Sequence, residues 1–260
     1  MAPDIIKSLK KIIPHLLKAR EDNLNEADTV QRIVKVFEDV LGYDPMTEIT
    51  GELKVKDKFV DLAVKLGGVT RLLVEAKAAA VTLRDRHIEQ AERYAAEGNI
   101  RWVLLTNGVV WNLYHLTFDE GIEYERAYSV DLSADPLDKA AELLSLLHRK
   151  SLLGGEHEEF WQRRMALSPE SVAKALFTED ALGFIRREIR RSEGVLLDIE
   201  DIATALHESF STEARERIGP VRIRKRRKPR ARPSQAKPQA AAIQVNVQRP
   251  SSSEAELDKD

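Results

Sequence analysis

Cysteine is missing from all 260 residues. That excludes a disulfide framework, thiolate zinc sites and cysteine nucleophiles. It fits a reducing compartment, and the expected location is cytoplasmic. No apolar run approaches the roughly 18 residues of a membrane-spanning helix, so no membrane partner is expected. The N-terminus does not read as a secretory signal, because Lys7, Lys10, Lys11 and Lys18 interrupt its apolar positions. The six histidines show no zinc spacing. His157, inside Glu156-His157-Glu158-Glu159, reads as a solvated helix start. No G-x-S-x-G, G-x-G-x-x-G or internal repeat occurs.

The length suits one sizeable domain, or one domain with an appendage. The net charge of -2 conceals an asymmetry. Residues 221–260 hold eleven Lys/Arg against four Asp/Glu, or +7, which leaves 30 basic and 39 acidic groups, or -9, on the other 220. A basic tail follows an acidic body.

Hydrophobic spacing sets the expected elements. Ile5, Ile6, Leu9, Ile12, Ile13, Leu16 and Leu17 recur at helical intervals, with Pro14 expected to kink or divide the helix. The plain reading is an amphipathic docking helix, and the alternative is a helix lying on a membrane surface. Val30, Ile33, Val34, Phe37, Val40 and Leu41 stripe a second helix, capped by Asn25 and closed by Gly42 and Pro45. Strands are expected near 48–55, at 58–66 and at 69–77, the last two joined through Gly67-Gly68. A helix from about Leu83 to Glu97, closed by Gly98, precedes strands at 102–106 and 109–116 around the hairpin dipeptide Asn107-Gly108. Trp102, Trp111 and Tyr114 suit core or hairpin packing. Residues 135–216 read as helical, with Ser168-Pro169 as one N-terminus and Asp198 as another cap. The tail from Gly219 reads as disordered.

Chemistry enters through strand parity. Val60, Leu62, Val64 and Leu66 share one face of their strand, and Leu72, Val74 and Ala76 share one face of the next. The opposite faces present Asp61 and the pair Glu75 and Lys77. Asp61 and Glu75 meet across the hairpin only with a three-residue loop, or with a bulge that compensates a two-residue Gly-Gly turn. Together they form an oxygen-rich site for Mg²⁺, to which a carbonyl near Ala76 adds a ligand, with Lys77 beside it to orient or deprotonate water or to neutralise developing negative charge. An acid-x-Lys triplet carries little information by itself, since about three arise by chance in this composition. From pattern alone, a cross-strand charge cluster on a solvated face stands as the alternative.

A set of ordered pieces narrows the choice. Asn25-Glu26-Ala27-Asp28-Thr29 opens a helix that ends in Leu41-Gly42-Tyr43-Asp44. Phe59-Val60-Asp61, Val74-Glu75-Ala76-Lys77, Gln90-Ala91-Glu92-Arg93-Tyr94 and the hairpin from Leu104 to Tyr114 follow in order. In these pieces residues 22–116 resemble the nuclease domain at the N-terminus of type I restriction enzyme R subunits, within the PD-(D/E)xK nuclease superfamily. The resemblance implies that Asp61 and Glu75 are metal ligands and Lys77 the catalytic lysine. It makes Glu26 an auxiliary acid near the metal, for which the plain reading is helix-dipole complementarity. Gln90 and Tyr94 fall on one helix face, beside the active site and DNA by the same resemblance. Otherwise they are a solvated glutamine and a packed tyrosine. R subunits continue into an ATP-driven translocase, but no G-x-x-x-x-G-K-[ST] loop occurs in these residues, so none is expected here.

The expectation is therefore an α/β protein with a restriction-endonuclease-like core, α-β-β-β-α-β-β, whose mixed central sheet is flanked by helices. Residues 1–21 form the N-terminal amphipathic helix, 22–131 the nuclease domain, 132–218 a helical segment and 219–260 the basic tail. The expected function is Mg²⁺-dependent DNA endonuclease activity, with Mn²⁺ as a substitute. Expected partners are DNA and restriction–modification or other defence subunits, with self-association left open. Arg222 to Lys237 carries nine Lys/Arg and no acid, so Arg224, Arg226 and Arg227 are expected to grip phosphates. The alternative is an inactive nuclease-fold module that binds DNA or acts as a scaffold.

Overall fold

A computed structural model describes residues 2–55, 58–119 and 121–225. It opens with helices α1 (Ala2–Glu21) and α2 (Glu26–Asp39). Pro14 does not divide α1. The ring is exposed, so the Lys10 carbonyl that loses its donor lies on the wet flank, while Ile5, Leu9, Ile12, Leu16 and Ala19 are buried. Asn25 caps α2, its side chain accepting the Asp28 N–H at 2.9 Å. Gly42, at φ +75°, turns the chain away past the helix end.

Among the described residues six strands follow: β1 (Ile49–Val55), β2 (Lys58–Leu66), β3 (Val69–Ala76), β4 (Trp102–Thr106), β5 (Val110–Thr117) and β6 (Glu123–Asp131). They lie in one sheet in chain order. Only β3 and β4 run parallel. A parallel pair needs a crossover, supplied by a 3₁₀ turn (Asp85–Ile88) and helix α3 (Glu89–Gly98). Asn99 rather than Gly98 takes the left-handed cap of α3, at φ 50°. β6 has no counterpart among the expected strands. Its first half is charged and exposed, and only Ala127, Tyr128 and Val130 are buried. Asn107 sits just before the β4–β5 turn rather than in it. Its Oδ1 accepts the N–H groups of Val109 and Val110, and Gly108 takes φ +84°.

Both sheet faces are covered. One packs against α1, α2, α4 (Leu137–Ser145) and α6 (Glu156–Ala166). A short helix, α5 (Arg149–Gly154), connects the last two. The opposite face packs against Ile88, Ala91, Tyr94 and Ala95 of the crossover. Ile5 of α1, Phe37 of α2, Trp111 of β5, Leu144 of α4 and Trp161 of α6 share one hydrophobic cluster. That cluster runs straight across the expected boundaries at 21/22 and 131/132. His157, in the first turn of α6, is buried, not solvated. It and Trp161, one turn apart, turn inward against Trp102 and His115.

Helices α7 (Pro169–Leu176), α8 (Glu179–Glu193), α9 (Ile199–Ser209) and α10 (Thr212–Ile218) enclose a separate small core around Phe177, Leu182 and Ile202. Val221 and Ile223 pack onto it, and Arg224 bridges Thr178 in parallel. The first residues of the expected disordered tail are therefore docked. Among the described residues no helix is long and apolar enough to cross a membrane.

Candidate functional site

The site lies where β2 and β3 part. Gly67 and Gly68 form a two-residue turn with φ of +60° and +78°, and Leu66 pairs with Val69. That register alone would put Asp61 and Glu75 on opposite faces. A bulge intervenes: Lys65 pairs with Thr70 but Val64 with Leu72, so Arg71 is the extra residue. Beyond it Leu62 faces Val74, the last pair of the ladder, and continuing that register by one residue puts Asp61 level with Glu75. One step past the Leu62–Val74 pair, the Asp61 carboxylate replaces a strand carbonyl, its Oδ2 accepting the Ala76 N–H at 2.7 Å. Strict alternation slips here, because Val60 joins the cluster on the α3 side while Leu62 and Val64 lie on the other.

Three more contacts fix the loop after β3. The Lys77 N–H donates to the Thr106 carbonyl, and the Ala79 N–H to the Leu24 carbonyl. Asn107 Nδ2 donates to the Val81 carbonyl at 2.9 Å. The loop is thus tied both to the β4–β5 turn and to the segment that opens α2. Glu26, the first residue of α2, comes to Lys77 in this way, with Oε2 3.6 Å from Nζ.

The Lys77 ammonium is ringed by oxygens. It donates to Glu75 Oε1 at 2.6 Å and to the Ala76 carbonyl at 2.8 Å, with Glu26 facing it. Glu75 is only 4% exposed. Burial pushes its carboxyl up to about 7, and Asp61 and Glu26 push the same way against the opposing pull of Lys77. Burial works against charge on Lys77, but its hydrogen bond to Glu75 and the charges of Glu75, Glu26 and Asp61 outweigh it, and the ammonium is held above the usual lysine range.

The structure thus gathers Asp61, Glu75, Lys77 and Glu26. Gln90 lies in the first turn of α3. Tyr94, one turn on, is 5% exposed and packs between α3 and the sheet. Arg224 belongs to the segment docked on α7 and α8, in a different part of the fold, and Arg226 and Arg227 lie outside the described residues. Among the described residues no three His, Cys, Asp or Glu side chains converge as a ready metal cage. The donor chemistry around Lys77 nevertheless suits a hard divalent cation: carboxylate oxygens on Asp61 and Glu75 and a backbone carbonyl at Ala76. An ammonium already held by Glu75 and Ala76 marks the position as cation-attracting. The sequence pattern gives no hint of Asn107 as a clamp on the site loop. Its only signal is the Asn-Gly dipeptide, which speaks for a turn and not for a long-range bond.

Residues 25–127 match the model of the family described as Type I restriction enzyme R protein N terminus. No curated protein and no solved structure gives a match.

Proposed function

We propose that this protein is a Mg²⁺-dependent endonuclease that hydrolyses DNA phosphodiester bonds, acting with restriction–modification or other defence subunits. The observation that carries this reading is the meeting of buried Glu75, Lys77, Glu26 and Asp61 at one sheet end, inside the segment that matches the R-subunit family.

Asp61 and Glu75, with the Ala76 carbonyl, would hold the cation. When bound, it supplies Lewis-acid polarisation of the phosphoryl oxygens and a more acidic water. Lys77 stays protonated in this environment, so its part is to place positive charge beside the phosphoryl group as negative charge builds. That favours charge neutralisation over proton abstraction. Glu26, 3.6 Å from the ammonium, adds negative charge to the pocket. The Asp61–Ala76 bond keeps the two strand ends at fixed separation while substrate enters.

The test compares the wild type with Asp61→Ala and Lys77→Ala on plasmid, linear and single-stranded DNA, with Mg²⁺ or Mn²⁺. The wild type should cut, and each variant should cut more slowly by about a hundredfold or more. Cleavage that survives both substitutions would remove the assignment. Binding by the wild type without any cleavage would favour the inactive DNA-binding module.

A further inference from the structure

A second concave surface lies outside the segment matched to the family. It is a cavity of about 290 Å³ between α7, α10 and the docked stretch 220–225. Among the described residues its lining includes Lys174, Arg217, Arg222 and Arg224, with Glu170 the one acid. Phe177 contributes an apolar floor.

Three observations mark this cavity as a built anion site. First, its charge is out of keeping with its setting. Four cations against one acid give +3, while residues 1–220 carry -9. Second, Arg224 is held in place by its backbone. The Arg224 N–H donates to the Phe177 carbonyl at 2.8 Å, and the Glu179 N–H donates to the Arg224 carbonyl at 3.1 Å. Val221 and Ile223 face the small core, so the alternating Arg222 and Arg224 project outward. Third, three of the four cations are uncompensated. Arg217 is engaged by Glu170 and lies 3.8 Å from Glu125 of β6. Lys174, Arg222 and Arg224 hold no ion pair among the described residues, although like charges crowded on one concave surface repel.

We propose that this cavity is a phosphate-binding site for the backbone of a polynucleotide, separate from the catalytic cluster. Guanidinium forks match phosphate oxygens two at a time, and lysine adds a point charge. The volume lies at the lower end of ligand pockets, enough for phosphoryl groups. A continuous polyanion is favoured over a small one because Lys225, Arg226, Arg227, Lys228, Arg230 and Arg232 follow directly in the chain. The proposal rests on the reading of DNA as substrate and gives the protein a grip on the strand away from the site of cutting.

The test is binding of a short fluorescent DNA duplex to the full chain in EDTA, followed by anisotropy between about 50 and 200 mM salt. Lys174→Ala combined with Arg222→Ala should weaken binding by about tenfold or more at the lower salt. It should also reduce the slope of log affinity against log salt by about 2, near 0.9 for each phosphate no longer neutralised. Lys7→Ala with Lys10→Ala, exposed on α1, should leave the slope unchanged. Both cavity positions are exposed, so the double variant should melt like the wild type; Arg222→Glu alone is the second variant and should weaken binding further than Arg222→Ala. Unchanged slopes overturn the proposal, as does a wild type that binds no duplex. Polyglutamate displacing the duplex as well as unlabelled DNA would overturn the phosphate assignment. Tripolyphosphate raising the melting temperature of the wild type but not of the double variant, with duplex binding equal in both, would overturn the polynucleotide. A slope lost in the double variant of a wild type that never cuts DNA supports this site and removes the nuclease reading instead.

Discussion

At the residue scale, two kinds of buried ionisable group act on stability in opposite directions. Glu75 has its carboxyl raised to about 7 from an ordinary 4.5, chiefly by burial. The folded state therefore holds that proton more tightly than the unfolded chain. Its contribution is fully present below about pH 4.5 and is lost as pH rises toward 7, a decline of about 3 kcal/mol. Glu75→Gln should flatten that part of the stability profile in urea titrations at successive pH values. His115 and His157 behave the other way. Burial lowers both, and among the described residues their buried Nδ1 atoms have no hydrogen-bond partner. Their contribution is present above about pH 6.5 and is lost as pH falls, because the unfolded chain takes up the protons first. His115→Phe, stacked on Trp161 as the imidazole is at 4.7 Å, should reduce the acid loss while leaving the Glu75 limb in place. The same urea titration reads both limbs, and a profile unchanged by either substitution would contradict these assignments.

At the scale of elements, the decisive feature is the pairing of a two-residue turn with a bulge. Deleting Arg71 removes the extra residue, and with the two-residue turn kept Val64 still faces Leu72 and Asp61 stays level with Glu75, so cleavage should survive. Loss of cleavage in a deletion variant that melts like the wild type would contradict this register. β2 and β3 were legible in the sequence almost to the residue, since Val60 to Leu66 and Leu72 to Val74 alternate or run apolar as buried strands do. The bulge was legible only as one of two ways to bring the acids level, the other being a three-residue loop, because an exposed Arg71 fits either register. β6 was not legible, because an edge strand with Glu123, Glu125 and Arg126 at its exposed start breaks the apolar alternation. The acids and the lysine could be read from the sequence, but the contacts that fix them could not. Asn107 reaching Val81 and Ala79 reaching Leu24 join residues far apart in the chain, where local pattern has no reach.

At the scale of the whole molecule, α1 is part of the sheet's core. Leu9 is fully buried between α1 and its neighbours, so Leu9→Ala should cost about 2–5 kcal/mol in chemical denaturation. A comparable loss is not expected from Leu167→Ala, which changes an exposed side chain between α6 and α7. The helices after Ala166 enclose a core of their own and add Arg217 against Glu125 as one link to β6.

The three tryptophans, Trp102, Trp111 and Trp161, all sit in the one cluster that joins α1, α2, α4 and α6 to the sheet, and none lies among the last four helices. Intrinsic fluorescence excited at the indoles therefore watches the sheet body alone, whereas circular dichroism sums over every helix. A melting experiment recorded by both signals would time the loss of one region against the other with no label attached.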